Sequence, residues 1–247
     1  HVSVTGTPQF ETYVYDEFGW SRPQLNRYLG LPDDDSRRIV CFSCGDVSTS
    51  PNDAVYINAL ASALNNESWA KDLILLVRTS PAEDASRFQE LMDKYPAIVW
   101  NVPDWPQSNP SHPEPWSQRV PTMNDIHCLK SILKHSSISV NMCSTMSLDF
   151  ALWDKPVINP VFGEMGNGAG LFPDRKYLRY DHYAKVIETG AVTICADSNE
   201  LIKALFAALE RPEQYASERK KVLELEIGKP LKGTSERFVQ KLMDWAS

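Results

Sequence analysis

The fold class that this sequence predicts is α/β: a three-layer sandwich built on a mostly parallel sheet of about six strands. Two observations predict it. Strand-like and helix-like segments alternate from Arg38 onward, and the strand segments are continuous apolar runs instead of alternating ones. An unbroken apolar run suits a strand covered on both faces, and the interleaved helices supply the cover.

The elements follow in order. Residues 1–37 read as an irregular connector, broken by "TGTPQFE" and "GLPDDDS". "RRIVCFSCG" is a buried strand ending at Gly45, and "VSTSPND" is a polar turn after it. Asn52 or Asp53 can cap the next helix, whose apolar positions are Val55, Ile57, Leu60, Ala61 and Leu64. "KDLILLVR" is a second strand, "SPAEDASRFQELMDKY" a helix with Pro near its start, and "AIVWNV" a third strand. A long Pro-rich loop, 103–122, carries Trp105 and Trp116. These two can stack on a base or fold back as packing residues. "NDIHCLKSILKHS" is a helix with an Asn124 or Asp125 cap, "SISVNM" a fourth strand, "STMSLDFALWD" a helix and "PVINPVF" a fifth strand. After a Gly-rich loop, 163–170, come the strand "GAVTICA", a helix capped by Asp197 or Ser198, and helical stretches at 212–227 and 234–246. The cations of "RKK", 219–221, read as the solvated face of a helix.

Composition narrows the function. A formal net charge of -7 argues against a general nucleic-acid binder, which needs a basic face. The five cysteines, odd in number and mostly set in apolar runs, fit a reduced, cytoplasmic protein. "CFSC" has C-x-x-C spacing, but a zinc site needs a second ligand pair at suitable spacing, and the motif ends a strand where a thioredoxin-like site starts a helix. No segment has the apolar length that crosses a bilayer, and no signal peptide is visible. The chain begins at His1 in a connector-like stretch, so it reads as a piece of a longer protein.

In parallel sheets, ligands bind beyond the carboxyl ends of the strands. The residues standing there are Gly45 and Ser48, Arg78, Val102 and Pro103, and Ser144 and Thr145, followed by Asp149. Amides at a helix start carry partial positive charge and lack internal partners, and a neighbouring hydroxyl adds a donor. Ser144, Thr145 and the guanidinium of Arg78 therefore suit a phosphate or diphosphate, with Asp149 placed for a sugar diol. On residue chemistry alone, ordinary capping by Ser144 and an Asp149 that suits the helix dipole stand ahead of a ligand role. His182, in "YDHY" before a helix, is either a contact to a donor phosphate or hydroxyl or a loop histidine.

"CSTMSLDFALWDKPVINP", "DHYAKVIETGAVTICADSNELIKALFAALERP" and "SERFVQKLMDW" resemble the carboxy-terminal, donor-binding domain of GT-B-fold glycosyltransferases. The flavour is that of bacterial surface-carbohydrate and CDP-glycerol-type transferases, with non-hydrolysing UDP-GlcNAc 2-epimerases more distant. "VTGTPQFETY" resembles the segment that enters this domain. The resemblance implies a Rossmann-like sandwich at 38–227 that binds a nucleotide-sugar. It leaves 1–37 as an interdomain connector, with a C-terminal helix at 228–247 packing back on or beside the domain. It implies that Ser144 and Thr145 contact the diphosphate and Asp149 the ribose. Val102 and Pro103 would receive the base through backbone contacts, and Gly45 with Ser48 would approach the phosphates. No cofactor or metal is required; the donor, UDP-, CDP- or GDP-linked, is the substrate. The carbohydrate acceptor and the usual catalytic base belong to an amino-terminal domain absent from this chain, so the fragment alone is expected to be inactive. Peripheral membrane association of the full-length protein stays open. Asn141 stands where many retaining members carry Glu, which leans the chemistry away from that mechanism. The alternatives are a sugar-nucleotide 2-epimerase-like enzyme and a non-catalytic interaction or nucleotide-sensing module.

Overall fold

Six strands lie in one sheet in the computed structural model, which describes residues 2–164 and 174–246. They are β1 (Arg38–Ser43), β2 (Leu73–Arg78), β3 (Val99–Asn101), β4 (Ser136–Val140), β5 (Val157–Pro160) and β6 (Thr193–Cys195). Every neighbouring pair is parallel, in the order β3-β2-β1-β4-β5-β6. This is the doubly wound order, whose direction of growth reverses between β1 and β4. The helices are α1 (Arg22–Tyr28), α2 (Asp53–Asn66), α3 (Gln89–Lys94), α4 (Met123–His135), α5 (Met146–Ala151), α6 (Asp181–Glu188), α7 (Ser198–Glu210), α8 (Ala216–Glu226) and α9 (Thr234–Ala246).

The unbroken apolar runs have a simple cause. Successive side chains of a strand point to opposite faces. In β1, Val40 and Phe42 enter one core with Tyr56, Ile57 and Leu60 of α2 and Leu201 and Leu205 of α7. Ile39 and Cys41 enter the other with Leu25 of α1, Ile132 and Leu133 of α4 and Phe150 of α5. β2 divides likewise, Leu75 and Val77 to the first face and Ile74 and Leu76 to the second. Each fully buried aliphatic or aromatic side chain contributes roughly 1.5–3 kcal/mol. The edge strands β3 and β6 are three residues each.

Local departures from the sequence expectation have visible causes. The stretch read as a connector contains a 3-10 turn, Pro8–Val14, and α1, which opens with a Ser21–Gln24 capping box and Pro at its start. The segment is fastened to α4: the amides of Gly19 and Trp20 donate to His127 Nδ1 and Ser131 Oγ at 2.9 and 2.6 Å. The helix expected from Ser80 starts later, as a 3-10 turn Ala85–Phe88 capped by Asp84 and continued by α3. The cap of α4 is Thr122, whose hydroxyl accepts from the Asp125 amide at 3.2 Å, and not Asn124 or Asp125. Asp197 caps α7. Within the Pro-rich loop, a bridge between Gln107 and Arg119 folds the excursion back on itself.

Arg219 corrects the reading of "RKK" as a solvated face. It is 1% exposed, and its guanidinium donates to Asp154 Oδ1, Gln214 O and Pro212 O at 2.7, 2.8 and 2.9 Å. Two of these acceptors come from the turn just before α8 and the third from Asp154, 65 positions away, which a local charge run does not reveal. The N-terminal end of α9 is held by Glu11, which accepts from the amides of Gly233 and Ser235 at 2.8 and 2.7 Å and from the Ser235 hydroxyl. Those bonds hold the Glu11 carboxyl at about 2, well below the ordinary glutamate value. Beyond that contact α9 exposes Phe238, Val239, Leu242, Met243 and Trp245. Among the described residues no helix is long and apolar enough to cross a membrane.

Candidate functional site

The sheet order places the candidate crevice at the carboxyl ends of β1 and β4, where Phe42 pairs with Val140 and the two following loops part. The loop after β1 is built to stay in one shape. Gly45 donates its amide to Asp53 Oδ2 at 2.9 Å, and its carbonyl accepts from Arg87 at 2.7 Å. Arg87 also reaches Ser50 O at 3.1 Å and pairs with Glu83 at 2.7 Å, while Glu83 accepts the Val47 amide at 2.9 Å. Asp53 is fully buried, and burial raises its carboxyl to about 7 against the opposing pull of Ser50 and Arg87. Ser48 is exposed and donates to Asp46, which also accepts the Ser48 amide at 2.9 Å.

Gly45 has no room for a side chain: a Cβ there would lie 2.7 Å from Ser50 Cβ. Gly45→Ala is therefore expected to displace the loop and lower stability by about 1–3 kcal/mol, measured by urea unfolding.

The turn from β4 into α5 is organised by Asn141. Its Oδ1 accepts from the Ser144 amide at 2.9 Å, from Ser147 Oγ at 3.1 Å and from Asn159 Nδ2 at 3.1 Å. Tyr183 of α6 closes the set, donating to Asn159 Oδ1 at 2.7 Å and meeting Ser147 Oγ at 2.7 Å. Cys143 takes a left-handed backbone, φ 47°, to make the corner. The Met146 amide bonds Ser144 Oγ at 3.2 Å. The Ser147 and Leu148 amides donate to Ser144 O and Thr145 O at 3.0 and 2.9 Å, so four amides of this helix start are answered by the chain itself. Thr145 is exposed at the corner, and its amide has no partner among the described residues.

Asp149, one turn on, faces the other core. It is 6% exposed, and Tyr13 Oη donates to its Oδ1 at 2.5 Å. Burial raises the Asp149 carboxyl to about 6, against the lowering effect of that hydroxyl, and Tyr13 is pushed well above its ordinary value. Arg78 lies in the same buried polar cluster. It pairs with Asp125 Oδ2 at 2.7 Å and donates to Asn101 Oδ1, both side chains nearly fully enclosed. Asp125 also accepts from Trp105 Nε1 at 2.6 Å and from the Asp104 amide at 3.2 Å, so Trp105 is tied down as a packing residue. The guanidinium expected to face a phosphate already has a carboxylate and an amide.

Val102 is exposed and Pro103 buried directly after β3, at the mouth of the Pro-rich loop. His182 is exposed on the first turn of α6, its ring 5.8 Å from that of Tyr180. The loop after β5 begins against α2. Gly163 donates to Tyr56 Oη at 2.8 Å, and a Cβ on it would lie 2.3 Å from Asn52. Buried Asp174 then accepts from Asn52 Nδ2 at 3.1 Å and from Tyr56 Oη. Residues 165–170 of the Gly-rich loop, and the side chain of Trp116, lie outside the described residues. Cys41 and Cys44 are free thiols, Cys41 raised to about 11 and Cys44 well above the ordinary value by burial. Among the described residues no three His, Cys, Asp or Glu side chains gather in a metal-holding group.

The structure thus sets Gly45 with Ser48, and Ser144 with Thr145, in the loops that follow the neighbouring strands β1 and β4. It buries Arg78 and Asp149, and leaves Val102 and His182 on separate exposed turns. Sequence reasoning missed Tyr13, Asp53, Arg87 and the pinning role of Asn141. Asp53 sits beside a cap position and was legible as such; Tyr13 and Arg87 act through partners far away in sequence, and Asn141 through a corner whose shape the sequence does not announce.

No protein-family model and no curated protein matches the chain. Solved structures do. It is similar to UDP-GlcNAc 2-epimerase from Neisseria meningitidis bound to UDP-GlcNAc, with TM-score 0.56 and 11% identity over 98% of this chain and 55% of that one. It is similar to the wall teichoic acid polymerase TagF, with TM-score 0.55 and 12% identity over 99% and 51%. It is also similar to S. aureus MnaA in its UDP co-structure, with TM-score 0.51 and 10% identity over 87% and 48%. The chain spans about half the length of these structures. They are GT-B-like enzymes. The chain shares with them the Rossmann-like three-layer fold around an all-parallel six-stranded sheet.

Proposed function

We propose that this chain is the donor-binding half of a glycosyltransferase, which holds a nucleotide-sugar while a second domain presents a carbohydrate or cell-surface acceptor. The observation that carries the reading is the strand order. A single reversal between β1 and β4 puts the glycine loop and the Ser144–Thr145 corner directly after neighbouring strands, at the end of the sheet where this topology binds its ligands. The resemblance supports it, as does the likeness of nearly the whole chain to half of enzymes whose structures hold UDP or UDP-GlcNAc. In this reading the diphosphate lies between Gly45 with Ser48 and the free amide and hydroxyl of Thr145. Fixed dipoles there stabilise the negative charge that develops on the leaving nucleotide. Val102 and Pro103 border the base, Asp149 takes the ribose diol, and His182 reaches a donor hydroxyl or phosphate. The proposed acceptor site and base lie on the second domain, and transfer follows closure that excludes water. The likeness to 2-epimerases supports a second reading, in which the same donor half serves an epimerase.

A thermal-shift panel of UDP, CDP, GDP and their sugars tests the proposal. A ligand at a hundred times its Kd stabilises by about 2.7 kcal/mol, or about 5–10 °C for a chain of this size. The expected result is such a shift with one nucleotide family, lost in Ser144→Ala and Asp149→Ala. No shift with any of them would leave the interaction-module reading in its place. Product analysis with the two-domain protein then separates transfer from epimerisation.

A further inference from the structure

The 3-10 turn Pro8–Val14 carries two side chains that serve distant parts of the molecule. Tyr13 donates its hydroxyl to Asp149 Oδ1 at 2.5 Å, across 136 residues of sequence. Glu11, two positions earlier, holds the start of α9 through the amides of Gly233 and Ser235 and the Ser235 hydroxyl. The turn is stiff between these ends. Phe10 is buried and stacks on Tyr13, centroids 5.9 Å apart, and Tyr15 Oη bonds Glu11 Oε1 at 2.9 Å. Tyr13 and Glu11 thus belong to one packed turn, held at one end by Asp149 and at the other by the start of α9.

We infer that Tyr13 is a built-in competitor for the diol of the nucleotide, and that a ligand which takes Asp149 loosens the hold of Glu11 on α9. The inference rests on the nucleotide reading above. A carboxylate enclosed as Asp149 is accepts few hydrogen bonds, and one oxygen already has its donor. A ribose diol offers two hydroxyl donors in place of one. It gains those bonds only after the phenol leaves, so the apparent affinity is lowered by the share of molecules in which the phenol stays bound. By linkage, whatever stabilises the turn at α9 weakens the ligand, and the ligand weakens the turn by the same factor. The consequence reaches the exposed apolar face of α9, whose first turn Glu11 helps to hold.

The test uses the 247-residue chain. UDP affinity is measured by calorimetry for wild type, Tyr13→Phe and Glu11→Gln. Amide exchange at Gly233 and Ser235 is followed with and without saturating UDP or its 2′,3′-dideoxy analogue. Tyr13→Phe is expected to tighten UDP about fivefold, and Glu11→Gln, which touches no part of the crevice, to tighten it in the same direction. UDP, but not the dideoxy analogue, is expected to speed exchange at Gly233 and Ser235. Unchanged or weaker UDP binding in Tyr13→Phe overturns the competition. Unchanged affinity in Glu11→Gln, or exchange indifferent to UDP, overturns the coupling while leaving the nucleotide reading standing. Failure of UDP, CDP and GDP to bind wild type and both variants overturns the nucleotide reading, and this inference with it.

Discussion

Arg78→Met is expected to destabilise the chain by about 3–5 kcal/mol, lowering Tm by about 10 °C, the largest single effect proposed for it. The guanidinium pairs at 2.7 Å with Asp125, and the two side chains are 7% and 1% exposed. Removing the cation leaves a carboxylate that burial disfavours and that only Trp105 Nε1 and one amide continue to serve. The excess cost comes from the orphaned charge, so Arg78→Met combined with Asp125→Asn should recover part of the loss. Urea unfolding of the three proteins measures both numbers. A variant that keeps wild-type stability but loses nucleotide binding would instead make Arg78 a ligand contact, as its place at the end of β2 first suggests.

Stability should peak in mildly acidic solution. Glu11 has its folded value depressed to about 2 from an ordinary 4.5. Its contribution is present above about 4.5 and is lost as pH falls toward 2. Asp53 and Asp149 act in the opposite sense. Their folded values are raised from 3.8 to about 7 and about 6. Between 3.8 and those values the folded state keeps a proton that the unfolded chain has released, so stability declines as pH rises through that window. For Asp53 the decline is on the order of 4 kcal/mol. The urea midpoint followed from pH 2 to 8 should rise and then fall, and Asp53→Asn should flatten much of the falling limb. A wild-type midpoint that climbs steadily to neutrality would mean that the carboxylate is solvated, contrary to its burial between Gly45, Ser50 and Arg87.

These effects show what a linear reading reaches. The parallel sheet was legible because Ile39–Phe42 and Leu73–Val77 have no polar face, and only two-sided burial accounts for that. The strand-end residues were legible because the topology assigns ligands to that rim. α1 was not: a seven-residue helix with Pro at its start has no periodicity to show, and it is set by a capping box and by Leu25 entering the second core. Asp125 illustrates the same limit. Near a helix start an Asp reads as a cap, yet Thr122 caps and Asp125 turns inward to Arg78, a partner 47 positions away. Tyr13 and Asp149 are separated by 136 positions, and neither residue type announces the other.

The two rims of the sheet have a consequence for how this chain would misbehave. β3 and β6 each offer three residues, while the six-residue strands β1 and β2 lie inside. Short rims present few unpaired amides and carbonyls for a neighbouring molecule to template on. The apolar stretches inside the sheet become adhesive only when the central ladder comes apart. Fibril formation through the strands should therefore track global opening of the sheet.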